Sequence, residues 1–591
     1  MKVLPFSQLI LGLLLLLQRG KRAAAQEATS YFGGVDNEAY LDWLAQSSYD
    51  KTSFLPSTTQ GEELGVALHW STDDSTIRLA VAAKATGWVG LGLAESGSMR
   101  GADIILFTAE TNELVDSYVL DQLVKPFPDD CQSWTLIDSI VEGGFVIFEA
   151  TRLLDTGDTQ DRPFLDDSSV LIPATRVIAA WGDTSTTSFH GSNTARSSLR
   201  FFGDATDEIA AFERVMQDEA EASFTVQADN FQVPVVKTYY HYVCVSEAEI
   251  LAMGVPLDQD LHTIGVEPIV NSAYVHHFIV VGSSESWDST GDCEEDFPGY
   301  ELAYVWAPGD LPLSLPSNVG APLGSAGFTS FQIEIHYNNP NLDLGSLDSS
   351  GIRMYYTSQK REFDMGVFQL GDPDIGLYGQ LVSPDGGLST HEFACPSACS
   401  TNYATQPVTV LREHLHMHQS GVSMTNTQSR NGEVLREGSV DFWDFNQQGN
   451  LAVVQEPFQL QPGDAFRTTC NFDAKNGEVF GLGSEEEMCI AFLYYFPRQD
   501  SLLFCGLGSG QDLPGCESEY TTVAAEFSEF GRSFGPAPAT CPVDGSEGEP
   551  PVRAPTSAPQ SESEDDDLVS ASPKIGSWTK MVLFASLALI F

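Results

Sequence analysis

Short apolar runs broken by turn residues dominate this chain, and that is the pattern of β-strands rather than helices. Residues 68–70, 77–81 and 145–148 are such runs, and residues 87–93 form a strand punctuated by glycines. From Ser223 onward the pattern resumes at 239–244, 264–270 and 274–280. In residues 331–339 the alternation sets Phe331, Ile333 and Ile335 on one face and Gln332, Glu334 and His336 on the other. Residues 408–415 lead into Leu415-His416-Met417-His418, and strand geometry turns His416 and His418 the same way. Residues 487–495 form a long apolar strand that carries Met488. The pattern predicts an all-β chain, and 591 residues are too many for one core.

Composition divides the chain further. The first unit spans 26–204, and the strands fit a β-sandwich. Residues 205–222 are acidic and helix-prone and read as a linker, followed by units at 223–379 and 380–532. Residues 533–580 are rich in Pro, Ser and acid and read as a flexible stalk. Residues 1–25 read as a secretory signal, with an apolar core at 9–17 and small residues at 23–25. The basic stretch 19–22 leaves an uncleaved anchor as the alternative. The apolar tail 581–591 follows a polar spacer and small residues at 570–572, the arrangement of a GPI-anchor signal; a membrane anchor or a poorly ordered tail is the alternative. The expected location is the secretory pathway, extracellular or in a vesicle lumen, with membrane anchorage open.

Charge and cysteines agree with export. The formal charge is -53, which argues against nucleic acid and favours cationic small molecules. Ten cysteines in an oxidising compartment should mostly pair. No Asn-x-Ser/Thr sequon occurs.

The candidate chemistry lies in five histidines and a methionine. Imidazoles suit copper and zinc, whereas a thioether favours soft cuprous ion. His276 and His277 are adjacent, and adjacent residues of a regular strand face opposite ways. They can share a metal only where the strand bends or bulges.

Two resemblances rest on these residues. Residues 87–93, 98–103, 177–182, 189–193 and 197–200 resemble a DOMON domain. Some DOMON domains hold haem b between a Met and a His, and Met99 and His190 sit in the matching motifs. The bland alternative makes Met99 packing and His190 a loop residue. Tyr-Val-His276-His277, Glu334 to Pro340 around His336, Leu415 to His418, and Glu486 to Cys489 around Met488 occur in the order found in copper type II, ascorbate-dependent monooxygenases. That match runs from about Tyr239 to Pro497, and with the DOMON unit it is similar to the dopamine β-hydroxylase and DBH-like branch.

The resemblance implies two jelly-roll-like β-sandwich subdomains facing each other across a solvent-filled cleft. It assigns His276, His277 and His336 to an electron-transfer copper, and His416, His418 and Met488 to the copper that meets oxygen and substrate. Ascorbate would reduce both, and an aliphatic C–H of a small substrate would be hydroxylated. A homodimer is left open. It also implies disulfides Cys244–Cys293, Cys395–Cys505, Cys470–Cys489 and Cys399–Cys516, leaving Cys131 and Cys541 to pair with each other; Cys541 is the alternative partner of Cys399. The family cysteine after the His-His pair is missing, since residues 281–283 are Val, Gly and Ser. His414 stands where peptide-amidating members carry an arginine, and Ala491 and Phe492 stand where they carry Asn and Tyr. The expected substrate is therefore phenethylamine-like or another small aromatic or apolar molecule. His414 is read as a structural or supporting residue rather than a ligand. The competing function is a non-catalytic DOMON binding protein, or a haem electron-transfer protein with a degenerate copper domain.

Overall fold

The computed structural model describes residues 37–524 and Cys541, apart from 58–60, 121–122, 169–173, 204–207, 286, 288–290, 300, 450–456 and 509–512. The signal, stalk and tail read from the sequence lie outside these residues. Among the described residues no helix is long and apolar enough to cross a membrane. The chain is all-β, in three units.

The first unit is one antiparallel ladder of eleven strands. It curls on itself, because residues from its two halves share one core: Val66, Leu79 and Val146 pack with Val89, Ile105 and Val177. The strand Trp88–Ala94 is buried along its whole length. One face enters that core. The other carries Trp88 and Ala94 to a second apolar cluster with Ile104 and Leu106. Gly90 and Gly92 sit between them, and a Cβ there would lie 2.8 Å from Leu106 and 2.9 Å from Ile104. Their missing side chains leave a cavity of about 550 Å³ on this face. Buried Arg152 pairs with Asp103 at 2.9 Å and with Asp161 at 3.5 Å. That pins the start of the strand Asp103–Thr108 to the loop that carries Asp161.

The helix Glu208–Glu219 follows. Its Phe212 and Met216 are buried against Ile264, so the acidic segment packs on the next unit. In that unit the strands Thr238–Val245, Ser330–Asn338, Val275–Ser283 and Glu301–Trp306 form one sheet, in that order. A second sheet is built around Asp260–Ile269 and Gly351–Thr357. The third unit pairs a sheet centred on Val408–His416, Ile490–Phe496 and Gly366–Gly371 with one centred on Gly421–Arg430, Asp464–Ala474 and Gly387–Cys395. Disulfides join Cys244–Cys293, Cys395–Cys505, Cys399–Cys516 and Cys470–Cys489. Cys131–Cys541 ties the first unit to the far end of the chain.

The second and third units do not face each other across an open cleft. A single apolar cluster spans their boundary, joining Phe278, Val280 and Tyr304 to Leu411, Ile490, Phe492 and Tyr494. Buried Asp310 pairs with Arg412 at 3.0 Å and with His414 at 3.3 Å, and Tyr494 accepts the Val305 amide at 2.8 Å. Burying that apolar area is what draws the two sandwiches together. It also explains why His336, on a face polar by pattern, is fully buried against Ser484, while Glu334 on the same face is only half-buried.

Candidate metal centre

His276 and His277 start the strand Val275–Ser283, and His336 lies on its neighbour Ser330–Asn338. The pairing runs Val275 to Tyr337, then His277 to His336, so the register slips at His276. This is the bulge that two adjacent histidines need to share one side. The Nδ1 atoms of His276 and His336 each lie 3.2 Å from Nδ1 of His277. His336 is stacked on Tyr240, with ring centroids 4.5 Å apart, and its Nε2 lies 3.2 Å from Ser484 Oγ. Those contacts turn its Nδ1 inward.

His416 ends the strand Val408–His416, and His418 follows it. His418 Nδ1–H donates to the carbonyls of Gly483 at 3.0 Å and Glu486 at 2.9 Å. Carbonyls only accept, so the proton is on Nδ1 and Nε2 holds a bare lone pair. That Nε2 is buried with no hydrogen-bond partner. A buried polar atom left this way costs free energy unless something binds it. His416 Nδ1–H donates to Gln448 Oε1 at 2.8 Å, which likewise frees its Nε2. Met488 is buried just ahead of Ile490–Phe496. His416 pairs with Ile490, and continuing that register sets Met488 across from His418. Glu487 fixes the turn: its carboxylate accepts the His418 amide at 2.9 Å and the Ser420 amide at 2.6 Å. Burial pushes this carboxyl up to about 8 despite those bonds.

The two histidine sets meet. Ring centroids of His277 and His416 are 5.2 Å apart, and those of His276 and His418 are 6.2 Å apart. Ligand atoms of His277, His416 and His418 lie within 4.8 Å of one another, as do those of His276, His277 and His336. The expected pair of cages on opposite walls of a gap is here one buried cluster of five imidazoles, because the sandwiches are drawn together. Burial lowers His276 to about 3 and His418 to about 4, and it holds His277, His336 and His416 well below the usual imidazole value. Neutral imidazoles crowded together, with the Nε2 lone pairs of His416 and His418 free, suit a soft or borderline cation. The donor set, five imidazoles with Met488 buried just ahead of the neighbouring strand, therefore fits copper.

His414 is buried and held by Asp310, outside the cluster. Burial alone would raise the Asp310 carboxyl, but Arg412 and His414 more than offset this and keep it below its ordinary value. Ala491 and Phe492 are buried in the cores. The loop residues Phe445 and Gln448 were not legible as site residues. Phe445 stacks on His276, with centroids 4.0 Å apart. The Gln448 amide nitrogen lies 3.2 Å from His276 Nε2 while its oxygen holds His416. Neither residue lies in a periodic segment, so no pattern marks them. Met99 and His190 both line the cavity of the first unit.

Comparison with known proteins matches three parts of the chain. Residues 62–175 match the DOMON domain. Residues 224–344 and 364–511 match the N-terminal and C-terminal domains of copper type II ascorbate-dependent monooxygenase. A tyramine beta-hydroxylase of Caenorhabditis briggsae is 25% identical over 74% of this chain and 75% of its own length. DBH-like monooxygenase protein 2 of Mus musculus is 28% identical over 73% and 70%. Dopamine beta-hydroxylase of Homo sapiens is 30% identical over 46% of each. Membership brings copper, ascorbate, oxygen and a small-molecule substrate, and the disulfides place the chain in the secretory pathway. With both catalytic domains matched behind a DOMON domain, the chain belongs to the copper type II, ascorbate-dependent monooxygenase family and is a dopamine β-hydroxylase-like monooxygenase.

Proposed function

We propose that this enzyme hydroxylates an aliphatic C–H of a small, phenethylamine-like substrate, with two coppers per chain. His276, His277 and His336 would hold one ion; His416, His418 and Met488 would hold the other. The observation that carries the reading is the bare, buried Nε2 of His418 beside the converging Nδ1 atoms of the first three histidines. Bound copper would supply one-electron chemistry with oxygen and ascorbate. The protein's part is to hold the imidazole tautomers, through Gly483, Glu486 and Gln448, and to keep bulk water from the cluster. Ala491 and Phe492 stand where peptide-amidating relatives carry an amide and a phenol, which supports a substrate other than a peptide. The acidic surface supports a cationic one, and the names of the tyramine and dopamine relatives point to the same class. Metal analysis should find two coppers, and Met488→Ala should keep the first and impair the second. Stoichiometric oxygen uptake with ascorbate and candidate amines separates this from a non-catalytic binding protein, which would consume none. The C-terminal tail supports membrane anchorage.

A second reading concerns the first unit. Its cavity of about 550 Å³ is mostly apolar, contains Met99 and His190, and has Lys125 and Arg196 in its lining. Phe189, Leu123 and Val124 are exposed there. Those features support haem b, which Met99 and His190 would hold and whose carboxylates Lys125 and Arg196 would neutralise. Reconstitution should then give a Soret band that Met99→Ala removes; no band in the intact protein rejects haem.

A further inference from the structure

Residues 441–449 touch both the DOMON unit and the histidine cluster. At one end Glu95 accepts the amides of Asp441 at 3.1 Å and Phe442 at 2.9 Å. Arg100 donates to the Trp443 carbonyl at 3.1 Å, and buried Arg176 donates to the Gly449 carbonyl at 2.9 Å. Phe442 lies so close that a Cβ on Gly101 would stand 2.1 Å from its ring. On the other side Trp443 Nε1–H donates to the His418 carbonyl at 2.9 Å. Phe445 covers the His276 ring, and Gln448 touches both His416 and His276. The amides of Gln448 and Gly449 donate to the Pro308 carbonyl, which belongs to the middle unit, at 2.6 and 3.1 Å. One nine-residue stretch thus joins all three units.

We propose that residues 441–449 are a strap by which the DOMON unit positions the histidine cluster, with Gln448 as the positioning residue that reaches both imidazole sets. Glu95, Arg100 and Arg176 are then remote positioning residues for the copper centre. The argument is mechanical. Fully buried Gln448 orients His416 only while its own backbone is held. That backbone is held by Pro308 and, through Gly449, by Arg176. Release of the strap frees the amide, and with it the tautomer of His416 and the cover on His276. Gly97 and Met99 line the DOMON cavity, and a Cβ on Gly97 would lie 3.1 Å from Gln447. The loop they share with Glu95 and Arg100 thus brings the cavity wall to the strap. This rests on the reading of the five histidines and Met488 as copper ligands.

Hydrogen exchange of the full-length protein, read at single amides, tests the strap. Glu95→Ala deprives Asp441 and Phe442 of their acceptor, so faster exchange there is a local effect. The strap predicts faster exchange also at Gln448 and Gly449, whose acceptor Pro308 is untouched. Gly101→Ala, which displaces the Phe442 ring without removing a hydrogen bond, should give the same distant effect if Glu95→Ala fails to fold. Copper-loaded Glu95→Ala should also lose turnover by ~10–100-fold, the cost of removing an outer partner of a metal ligand. Unchanged exchange at Gln448 and Gly449 in both variants, with wild-type turnover, overturns the strap. Copper content of the wild-type protein reports separately on the ligand assignment. A protein without copper but with the distant exchange effect would refute that assignment and leave the mechanical link standing.

Discussion

Replacing His418 with alanine is expected to abolish turnover while leaving one copper bound and the three units folded. His418 contributes an Nε2 that is buried, deprotonated and without a hydrogen-bond partner. Nothing near it can substitute, because His416 is turned by Gln448 and Met488 approaches from the neighbouring strand. The ring also donates to Gly483 and Glu486, so its loss frees the turn that carries Met488 into place. Two of the three donors of one site are therefore disturbed by one substitution. The loss in kcat should exceed the ~10–100-fold that removal of an outer partner costs. Metal analysis and steady-state oxygen uptake on the same preparation check both halves. Two coppers and near-normal turnover in the variant would exclude His418 as a ligand.

Acidification from pH 7 to pH 4 should produce the second large effect, a steep loss of stability in the metal-free protein and release of copper from the loaded one. Burial depresses His276 to about 3 and His418 to about 4 from an ordinary 6.5. It takes His277, His336 and His416 well below that value, with neighbouring imidazoles adding to the effect. The unfolded chain takes up these protons near pH 6.5; the folded chain refuses them. Stability from this source is thus fully present above pH 6.5 and is lost as pH falls through the folded values. At ~1.4 kcal/mol per pKa unit, His418 alone contributes roughly 3 kcal/mol. Two or three such rings reach a large part of the ~5–15 kcal/mol that holds a domain together. Copper adds to the effect, since imidazole must be deprotonated to bind it. Thermal melts between pH 7 and pH 4 measure the slope, and His277→Asn should flatten it. A melting temperature constant across that range would mean that the cluster is open to solvent.

Much of the site was legible in the order of residues. The period of two placed His416 and His418 on one side, and that period is a property of the backbone. The same reasoning required a bulge at His276, and the register slip there supplies it. The alternation of Phe331, Ile333 and Ile335 named a core face that is buried as expected. What the alternation missed is that Gln332 and His336 on the opposite face are buried too. A polar pattern reports the cost of burying a group without partners. His336 has partners in Tyr240, Ser484 and its fellow imidazoles, all distant in the chain.

The chain by itself determined the donor chemistry: the imidazoles, the thioether and the strand periodicity that aims them. Those are local facts, carried by residue type and spacing. Only the tertiary structure decided how far apart the two histidine sets stand, which loop covers them, and that Glu95, Arg100 and Arg176 of a separate unit hold that loop. Contacts of that kind depend on how much apolar surface two finished sandwiches bury against each other. No spacing within either of them records it.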